Sequence, residues 1–325
     1  MSNHASKGTT PLLSYKHSHP LVTEKRLPEE VLGQAHTILD DGAFYVNDAY
    51  TWMLQLPDGI ADLIIADPPY NFSKEDWDLF PSWDDYINWS IRWITAAHRV
   101  LADHGSIYIF GNTDSISRIY PAVEDLFYSC RWLIWHYRNR GSTHSTDWVR
   151  SFDVVLHCRK SDKYIFNYRD IAEPYNYHTK KYPNKPSGQT SMFAIGKLSH
   201  EAHPWTPNDR GAKPRDVLDI PTTSGSSKEK TPHPTQKPEE LMRRLILASS
   251  APNSLVLDPF IGSGTTAVAA RQLARLWMGN DINDRYITWA IGRVQNVTKR
   301  DPHYWIKYDM KKALHRMKVR CGNVK

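Results

Sequence analysis

The sequence has few cysteines and no long hydrophobic run, and these two absences exclude several classes of protein. Only three cysteines occur among 325 residues, and none of them forms a C-x-x-C pair. This number and spacing argue against a disulfide framework and against a cysteine zinc site. No stretch approaches 18 uninterrupted apolar residues, so no membrane-spanning helix is predicted. The first 26 residues are polar and lack the apolar core of a signal peptide, so we expect a cytoplasmic protein.

Aromatic residues are plentiful, with 12 Trp, 17 Tyr and 9 Phe. This composition argues against a disordered chain and predicts a packed core. Charge is distributed unevenly: residues 299–325 carry nine Lys or Arg and two acidic residues, whereas residues 38–88 carry eleven acidic residues and one Lys. Such asymmetry suits a protein with a face that meets polyanions, although a solvated surface explains any single charge run more simply.

Strand and helix patterns alternate along most of the chain. Short apolar runs predict strands at 43–46, 61–66, 105–112, 132–137, 152–158, 254–258 and 276–281. Amphipathic patterns predict helices at 49–56, 89–101 (closed by Gly105), 115–126, 238–249, 265–274 and 285–297. This alternation predicts an α/β fold with a mainly parallel, Rossmann-like sheet flanked by helices.

The chain divides into five predicted segments. They are a flexible arm (1–35), a first part of the α/β domain (36–170), an insertion (171–232), a second part of the same domain (233–298) and a basic tail (299–325). Periodicity is lost in the insertion, and a structureless loop of that length is unusual inside a compact domain. We therefore expect a recognition region or a lid there.

A glycine-rich turn joins a predicted strand to a predicted helix in LDPFIGSGTTAVAA. Gly262, Gly264 and Ala267 satisfy the G-x-G-x-x-G/A pattern, and the next strand ends in Asp281. The glycines let a ligand approach the backbone, and an acid at that spacing binds a ribose. A simple packing turn and a nicotinamide-dependent enzyme remain alternatives for this motif alone.

A second motif, DPPYN, follows the predicted strand at 61–66. The two prolines fix the backbone and leave carbonyl groups facing a ligand, while Asp67 supplies an acceptor and Tyr70 a flat π-face. Such a group suits a planar amine, because acceptors bind its N–H groups while the ring stacks on the heterocycle. An exocyclic amine held in this way keeps its lone pair directed at an electrophile. A rigid turn is the alternative.

Together, the motifs DPPYN, HPTQKPEELMRRLI and DPFIGSGTT, in that order, resemble the beta group of S-adenosylmethionine-dependent DNA amino-methyltransferases. The resemblance covers roughly residues 43–170 and 231–297. It implies the methyltransferase form of the sheet, S-adenosylmethionine as cofactor and double-stranded DNA whose target base is flipped out. It also implies that residues 171–232 take part in target recognition.

The resemblance further implies roles for individual residues. The catalytic residues that would grip and stack the base are Asp67, Pro68, Pro69 and Tyr70. The residues that match the cofactor site are Asp48, Thr235, Lys237, Pro238, Asp258, Phe260, Gly262, Ser263, Gly264, Thr265 and Asp281. Among them, Lys237 would meet the cofactor carboxylate, Asp281 the ribose and Asp48 the adenine. The family often has Gly-Asp at Asn47-Asp48, and many relatives have His-Glu or Asn-Glu where this chain has Phe152-Asp153, which leaves that pair without a role.

DNA contacts and partners are predicted less specifically. The candidate backbone contacts are Arg138, Arg140, Arg150, Arg159, Lys160 and the tail 299–325. A solubilising helix is the alternative for the tail. No metal is expected, because the histidines are scattered and His200 and His203 lack clustered acids. Candidate partners are a cognate restriction endonuclease and a second copy of the chain, and the enzyme would associate with the nucleoid when on DNA.

Three functions remain in competition. The leading one is an adenine-N6 DNA methyltransferase. The second is a cytosine-N4 methyltransferase of the same fold, which more often has Ser at the position of Asp67. The third is a catalytically inactive DNA-binding relative, against which the intact Asp67, Tyr70, Gly262 and Asp281 argue. A nicotinamide-dependent enzyme explains neither DPPY nor HPTQKP.

Overall fold

The computed structural model describes residues 27–73, 75–139, 146, 148–181, 185–186, 204–205, 207–298 and 300–320. Its strands are β1 (Thr37–Leu39), β2 (Gly42–Val46), β3 (Ala61–Ala66), β4 (Leu101–Gly111), β5 (Ser129–His136), β6 (Phe152–Arg159), β7 (Lys185–Pro186), β8 (Pro204–Trp205), β9 (Val217–Asp219), β10 (Leu255–Asp258) and β11 (Leu276–Asp281). Its α-helices are α1 (Glu29–Leu32), α2 (Ala49–Leu54), α3 (Trp83–Val100), α4 (Thr113–Leu126), α5 (Tyr177–Lys181), α6 (Glu239–Ser249), α7 (Thr265–Gln272), α8 (Asp284–Gln295) and α9 (Pro302–Arg320). No helix among these is both long and apolar enough to cross a lipid bilayer.

One sheet contains all strands except β7 and β8, in the order β1-β2-β11-β10-β3-β4-β6-β5-β9. The five strands from β2 to β4 pair in parallel, whereas β6 runs antiparallel to both β4 and β5. Strand β9 pairs in parallel with β5. The carboxyl ends of β3, β10 and β11 therefore meet at one edge of the sheet, together with the end of β5 and the start of β6.

Helices cover both faces of the sheet, which explains why its central strands are apolar throughout. Every residue of β3 and β10 is buried. Helices α2, α3 and α4 pack on one face, and α6, α7 and α8 pack on the other. A parallel sheet covered in this way needs continuous runs of apolar residues instead of alternation. The predicted α/β architecture is therefore confirmed.

Two predicted features differ from the structure. Gly105 does not close the preceding helix, because α3 ends at Val100 and β4 begins at Leu101. Gly105 lies inside β4, where a Cβ would come within 2.7 Å of the Leu101 side chain, so close packing explains this glycine. The segment 171–232 is also less separate than expected, since its strand β9 extends the main sheet beside β5.

The C-terminal basic segment forms helix α9, which packs against α6. Two carboxylate oxygens of Asp309 accept hydrogen bonds from the buried Arg243 guanidinium at 2.7 and 2.8 Å. Arg316 pairs with Glu240 in the same way. Residues 300–320 are therefore held against the α/β domain by apolar packing and ion pairs.

Candidate active site

Three predicted acids meet at the carboxyl edge of the sheet. Asp258 ends β10, Asp281 ends β11, and Asp67 directly follows β3, so the three lie on neighbouring strands. This edge is where open α/β sheets bind ligands. Topology therefore brings the DPPY motif and the glycine-rich motif together, although they lie far apart in the sequence.

A first cavity of about 770 Å³ opens at this edge. The predicted residues that line it are Asp48, Asp67, Pro69, Thr235, Lys237, Asp258, Phe260, Gly262, Ser263, Thr265 and Asp281. Pro238 and Gly264 are outside its lining: Pro238 precedes α6 as its N-cap, and Gly264 precedes α7 in the same position. The cavity thus collects most of the residues that the resemblance assigned to the cofactor.

The glycine-rich turn is held open at the mouth of the first cavity. Gly262 has a φ of +48°, and its N–H donates to Asp281 Oδ2 at 2.9 Å. A Cβ on Gly262 would lie 2.8 Å from Nε2 of His233, so only glycine fits. Oδ1 of Asp281 accepts the N–H of Asn283 at 2.9 Å. These contacts fix the Asp281 carboxylate beside the turn.

Gly264 has a different role from the one expected of it. Its φ is +77°, and a Cβ there would lie 2.6 Å from the Cβ of Ala290 on α8. The missing side chain therefore permits the helices α7 and α8 to pack, and it does not make room for a ligand. Arg293 of α8 reinforces the turn by donating to the Ser263 carbonyl at 2.8 Å and to Thr265 Oγ1 at 2.9 Å.

Burial shifts the acid–base properties of the first cavity. Desolvation raises the pKa of Asp258 to about 7 and that of Asp281 to about 6, although N–H donors to both carboxylates oppose the shift. Burial, followed by the charge of Lys237, lowers the pKa of His233 to about 4, so this imidazole is neutral at pH 7. The acids can thus change charge near neutrality, while His233 cannot.

The first cavity has an aromatic wall that the sequence does not predict. His233 packs edge-on against Tyr286, with 4.5 Å between ring centres. Tyr286 accepts a hydrogen bond from Nε1 of Trp77 at 3.3 Å, although the two residues belong to distant parts of the chain. His233 stands in the HPTQKP motif, but no local pattern indicates that Trp77 and Tyr286 meet.

A smaller second cavity of about 170 Å³ adjoins the first. Asp67 and Lys237 line both cavities, Pro69 lines the first, and Pro68 and Tyr70 line the second. The DPPY motif is therefore the wall between two spaces. Within the motif, Pro69 therefore faces the first cavity, Pro68 and Tyr70 face the second, and Asp67 faces both.

Both oxygens of the Asp67 carboxylate have partners in the structure. The hydroxyl of Tyr70 donates to Oδ1 at 2.6 Å, and the ammonium group of Lys237 pairs with Oδ2. Burial, followed by the negative charge of Asp67, raises the pKa of Tyr70 well above 10, so this hydroxyl stays protonated as a donor. Lys237, which is expected to meet a cofactor carboxylate, contacts Asp67 in this structure.

The loop after the motif is fixed by a buried acid. The carboxylate of Asp78 accepts the backbone N–H groups of Tyr70 at 2.6 Å and Phe72 at 3.0 Å. The hydroxyl of Tyr86 donates to the carbonyl of Pro69 at 3.1 Å. The carbonyl oxygen of Pro69 therefore already accepts one hydrogen bond within the protein.

The candidate DNA contacts lie at different edges of the sheet. Arg150 lines the second cavity, and Arg138 is exposed just after β5 at the same edge. Because β6 runs antiparallel to β4, Arg159 and Lys160 at its end lie at the opposite edge. There Arg159 stacks on Tyr164, with 3.8 Å to the ring centre, and Lys160 donates to the carbonyl of Leu101. Arg140 lies outside the described residues, as do His200 and His203.

Comparison with known proteins agrees with this geometry. A DNA methylase family model matches residues 61–292. The Type II methyltransferase M.HpaI of Haemophilus parainfluenzae is 34% identical over 261 residues, covering 79% of this chain and 75% of its own length. The DNA adenine methyltransferase YhdJ of Escherichia coli (strain K12) is 33% identical over 250 residues, covering 76% and 80%, respectively.

Two solved structures share the fold. The cytosine-N4-specific PvuII DNA methyltransferase superposes with a TM-score of 0.59 at 14% identity, covering 85% of this chain and 93% of its own. The M1.HpyAVI–SAM complex superposes with a TM-score of 0.51 at 24% identity, covering 78% and 98%, respectively. The expected family and the expected S-adenosylmethionine cofactor are confirmed. The match over residues 61–292 establishes that the chain belongs to the DNA methylase family of N6 and N4 amino-methyltransferases.

Proposed function

We propose that this enzyme transfers a methyl group from S-adenosylmethionine to the N6 amino group of adenine within a short DNA sequence. The observation that carries the proposal is the position of Asp67 in the wall between the two cavities. A methyl donor in the first cavity and an amine in the second meet at this side chain. A base inside a duplex cannot reach it, so the target base rotates out of the helix.

The first cavity suits the cofactor in size and in chemistry. Its volume of about 770 Å³ lies within the range of small-molecule sites. Asp281 offers a carboxylate for ribose hydroxyls, and the turn at Gly262 has no side chain to block a ligand. Lys237 supplies a cation for a carboxylate. When bound, S-adenosylmethionine supplies an electrophilic methyl group on its sulfonium.

The residues of the second cavity hold and orient the amine. An ionised carboxylate has about four lone-pair sites, so Asp67 can accept an N–H of the base in addition to its present partners. The Tyr70 ring offers a face for stacking, and its hydroxyl bond to Asp67 fixes the orientation of the carboxylate. Holding the N–H groups leaves the nitrogen lone pair directed toward the first cavity.

One residue of the motif and one relative favour adenine over cytosine as the target base. The motif begins with Asp67, where cytosine-N4 enzymes more often have Ser. YhdJ, at 33% identity, is named a DNA adenine methyltransferase. The PvuII enzyme is cytosine-specific, but at 14% identity it bears on the fold alone. Cytosine N4 remains the second candidate.

Single-molecule sequencing of DNA from a methylation-free host that expresses the enzyme tests this proposal. We expect N6-methyladenine at one short motif. Asp67→Ala should lower methyl transfer at least about a hundredfold, or about 3 kcal/mol of barrier. N4-methylcytosine would establish the alternative target, and unmodified DNA would indicate an inactive DNA-binding relative.

The remaining assignments are part of the proposal. Residues 171–232 contribute to target recognition, and Arg138 and Arg150 meet the DNA near the flipped base.

A restriction endonuclease with the same recognition sequence is the proposed partner, because relatives such as M.HpaI are Type II methyltransferases. Digestion of modified and unmodified DNA by host extract tests it, and light scattering tests for a homodimer. Fluorescence microscopy tests cytoplasmic and nucleoid localisation.

A further inference from the structure

The far wall of the second cavity carries charged residues to which the DPPY motif gives no role. Arg150 and Asp153 line this wall at the start of β6, together with Thr222 and Thr223 from the segment after β9. Asp153 belongs to the pair Phe152-Asp153, to which the resemblance gives no role. These side chains face the space that the target base occupies in the proposed function.

The guanidinium of Arg150 is anchored on one side. Its Nη2 donates to Oδ1 of Asp153, and its Nε donates to the carbonyl of Phe152 at 3.3 Å. Asp153 is only 7% exposed, and the hydroxyl of Tyr137 donates to the same Oδ1 at 3.2 Å. Among the described residues, Nη1 of Arg150 has no acceptor. The guanidinium is therefore held in place in the cavity wall, and the N–H groups of its Nη1 are available to donate to a ligand.

This wall lies close to the catalytic residues. The charges of Asp153 and Arg150 both reach the Tyr70 hydroxyl, where Asp153 raises its pKa and Arg150 lowers it. Tyr70 in turn donates to Asp67. A planar base whose amine meets Asp67 therefore has Arg150 near its adjoining ring edge. In addition, Oγ1 of Thr223 is buried on the same wall and has no partner among the described residues.

We propose that Arg150 reads the ring nitrogen beside the amino group of the flipped base, and that Asp153 is the residue that positions it. This inference rests on the proposed function. N1 of adenine is an acceptor, and a guanidinium only donates, so the two are complementary. Guanine and thymine carry an N–H at the equivalent position and would face a donor with a donor. A site that leaves buried polar groups unpaired rejects the wrong base strongly.

The inference predicts that replacing N1 of the target adenine matters only while Arg150 is present. The recognition duplex, defined by sequencing, is prepared with adenine, 1-deazaadenine or 7-deazaadenine at the target position, opposite an abasic site, so that the loss of the Watson–Crick acceptor N1 does not change the cost of flipping. We expect the wild type to bind and flip the 1-deaza duplex about tenfold or more weakly than the adenine duplex, as for a lost charge-assisted hydrogen bond. The 7-deaza duplex should behave like adenine, since it retains N1.

Arg150→Gln should bind both the adenine and the 1-deaza duplex weakly and almost equally, so that the N1 preference disappears. Arg131→Gln is the matched control, because Arg131 is exposed near the start of β5, at the opposite edge of the sheet, and should keep the wild-type preference. Asp153→Asn should reduce the preference without removing Arg150. An unchanged N1 preference in Arg150→Gln would overturn the inference.

The outcomes separate this inference from the proposed function. Absence of N6-methyladenine in host DNA removes the proposed function itself. Methyladenine formation together with an unchanged N1 preference removes only the role of Arg150. Should Arg150→Gln fail to fold, Arg150→Lys keeps the charge but loses the planar fork, and it should lower the N1 preference with little effect on the melting temperature.

Discussion

At the scale of single residues, Lys237 connects the two cavities. Its side chain is 8% exposed, and its ammonium group pairs with Asp67 and lies 5.4 Å from the centre of the Tyr70 ring. A buried ammonium group needs such partners, because desolvation is costly for an unpaired charge. Lys237 also lines the first cavity, where its ammonium group is available to the carboxylate of a bound ligand. It can therefore pair either with Asp67 or with that ligand carboxylate.

We predict that Lys237→Gln weakens S-adenosylmethionine binding by about ten- to a hundredfold, since a charge-assisted hydrogen bond contributes roughly 1.5–3 kcal/mol. Calorimetric titration measures this change. 5′-Methylthioadenosine, which lacks the amino-acid part, serves as the matched ligand, and its affinity should not change. Equal weakening of both ligands would show that Lys237 supports the cavity as a whole and does not bind the carboxylate.

If Asp281 binds the cofactor ribose as proposed, its titration makes cofactor affinity depend on pH. Its pKa is raised to about 6, so the carboxylate is charged above pH 6 and progressively protonated below it. Because the ionised form accepts hydrogen bonds from ribose, we predict that affinity is constant from pH 8 to 7 and falls up to about tenfold per pH unit below 6. Titrations at several pH values test this.

Asp281→Asn should bind more weakly at pH 8 and lose the dependence below pH 6. If the dependence persists in Asp281→Asn, Asp258 is the group responsible, because burial raises its pKa to about 7 in the same cavity. Asp258→Asn then distinguishes the two acids. Each asparagine variant keeps the size of the side chain, removes its charge and replaces one acceptor oxygen with an N–H donor.

At the scale of elements, buried strands could be predicted and packing glycines could not. The bounds of β3 and β11 match the sequence prediction, because each is an apolar run that ends in a motif. The prediction that Gly105 ends a helix is wrong, since a glycine that allows tight packing over Leu101 looks the same in sequence as one that ends a helix. Only the three-dimensional neighbour distinguishes the two cases.

The second cavity shows why the site was only partly predictable. The acids and glycines of the first cavity stand in recognisable motifs, whereas β9 has three residues and its partner β5 is distant in the sequence. No local periodicity predicts such a strand. Consequently, the sequence predicts Arg150 only as a backbone contact and gives Asp153 no role, although the pairing of β5 and β6 brings both to the cavity.

The connection between the glycine-rich turn and α8 gives a prediction about stability. Gly264→Ala should lower the free energy of unfolding by more than about 2 kcal/mol, because alanine is strained at a φ of +77° and its Cβ would meet Ala290. Chemical denaturation measures this. Gly292→Ala, in α8 with nothing within 4 Å of its Cβ, is the control and should be neutral or stabilising. Cofactor affinity of folded Gly264→Ala should stay near wild type.

At the scale of the whole molecule, helix α9 contains the described part of the basic tail and has an exposed charged side. Deleting it would uncover Arg243, so substitutions on its surface test DNA contact more cleanly. Lys307, Lys311 and Lys318 of α9 are exposed. If all three meet phosphates, their joint replacement by Gln should reduce the salt-dependence slope of DNA binding by about 2–3, at about 0.9 per phosphate. Lys163→Gln, at the opposite sheet edge, should leave the slope unchanged.

Global stability should respond to acid through His157. This residue is 2% exposed and stacks on Tyr108 at 4.4 Å, and burial lowers its pKa to about 3. The unfolded chain takes up a proton near pH 6.5 and the folded chain does not, so the stabilising contribution is complete above pH 6.5 and is lost as the pH falls. At pH 5 the loss is about 2 kcal/mol.

His157→Phe keeps an aromatic ring against Tyr108 and removes the proton site. We predict that its free energy of unfolding falls about 2 kcal/mol less than that of the wild type between pH 7.5 and pH 5. His315→Gln, on the exposed side of α9, should follow the wild type. A parallel decline in all three proteins would assign the acid sensitivity to other groups.

The strand order also has a consequence for biosynthesis. Strands β10 and β11 lie between β2 and β3 in the sheet, yet they are synthesised after all of its other strands. Until they emerge, the nascent chain carries two unpaired strand edges, one at β2 and one at β3, which are open to pairing with other chains. The central gap then closes by contacts between residues far apart in sequence, which are slow to form. The active site can therefore form only when the last strand pair, which carries Asp258 and Asp281, is inserted.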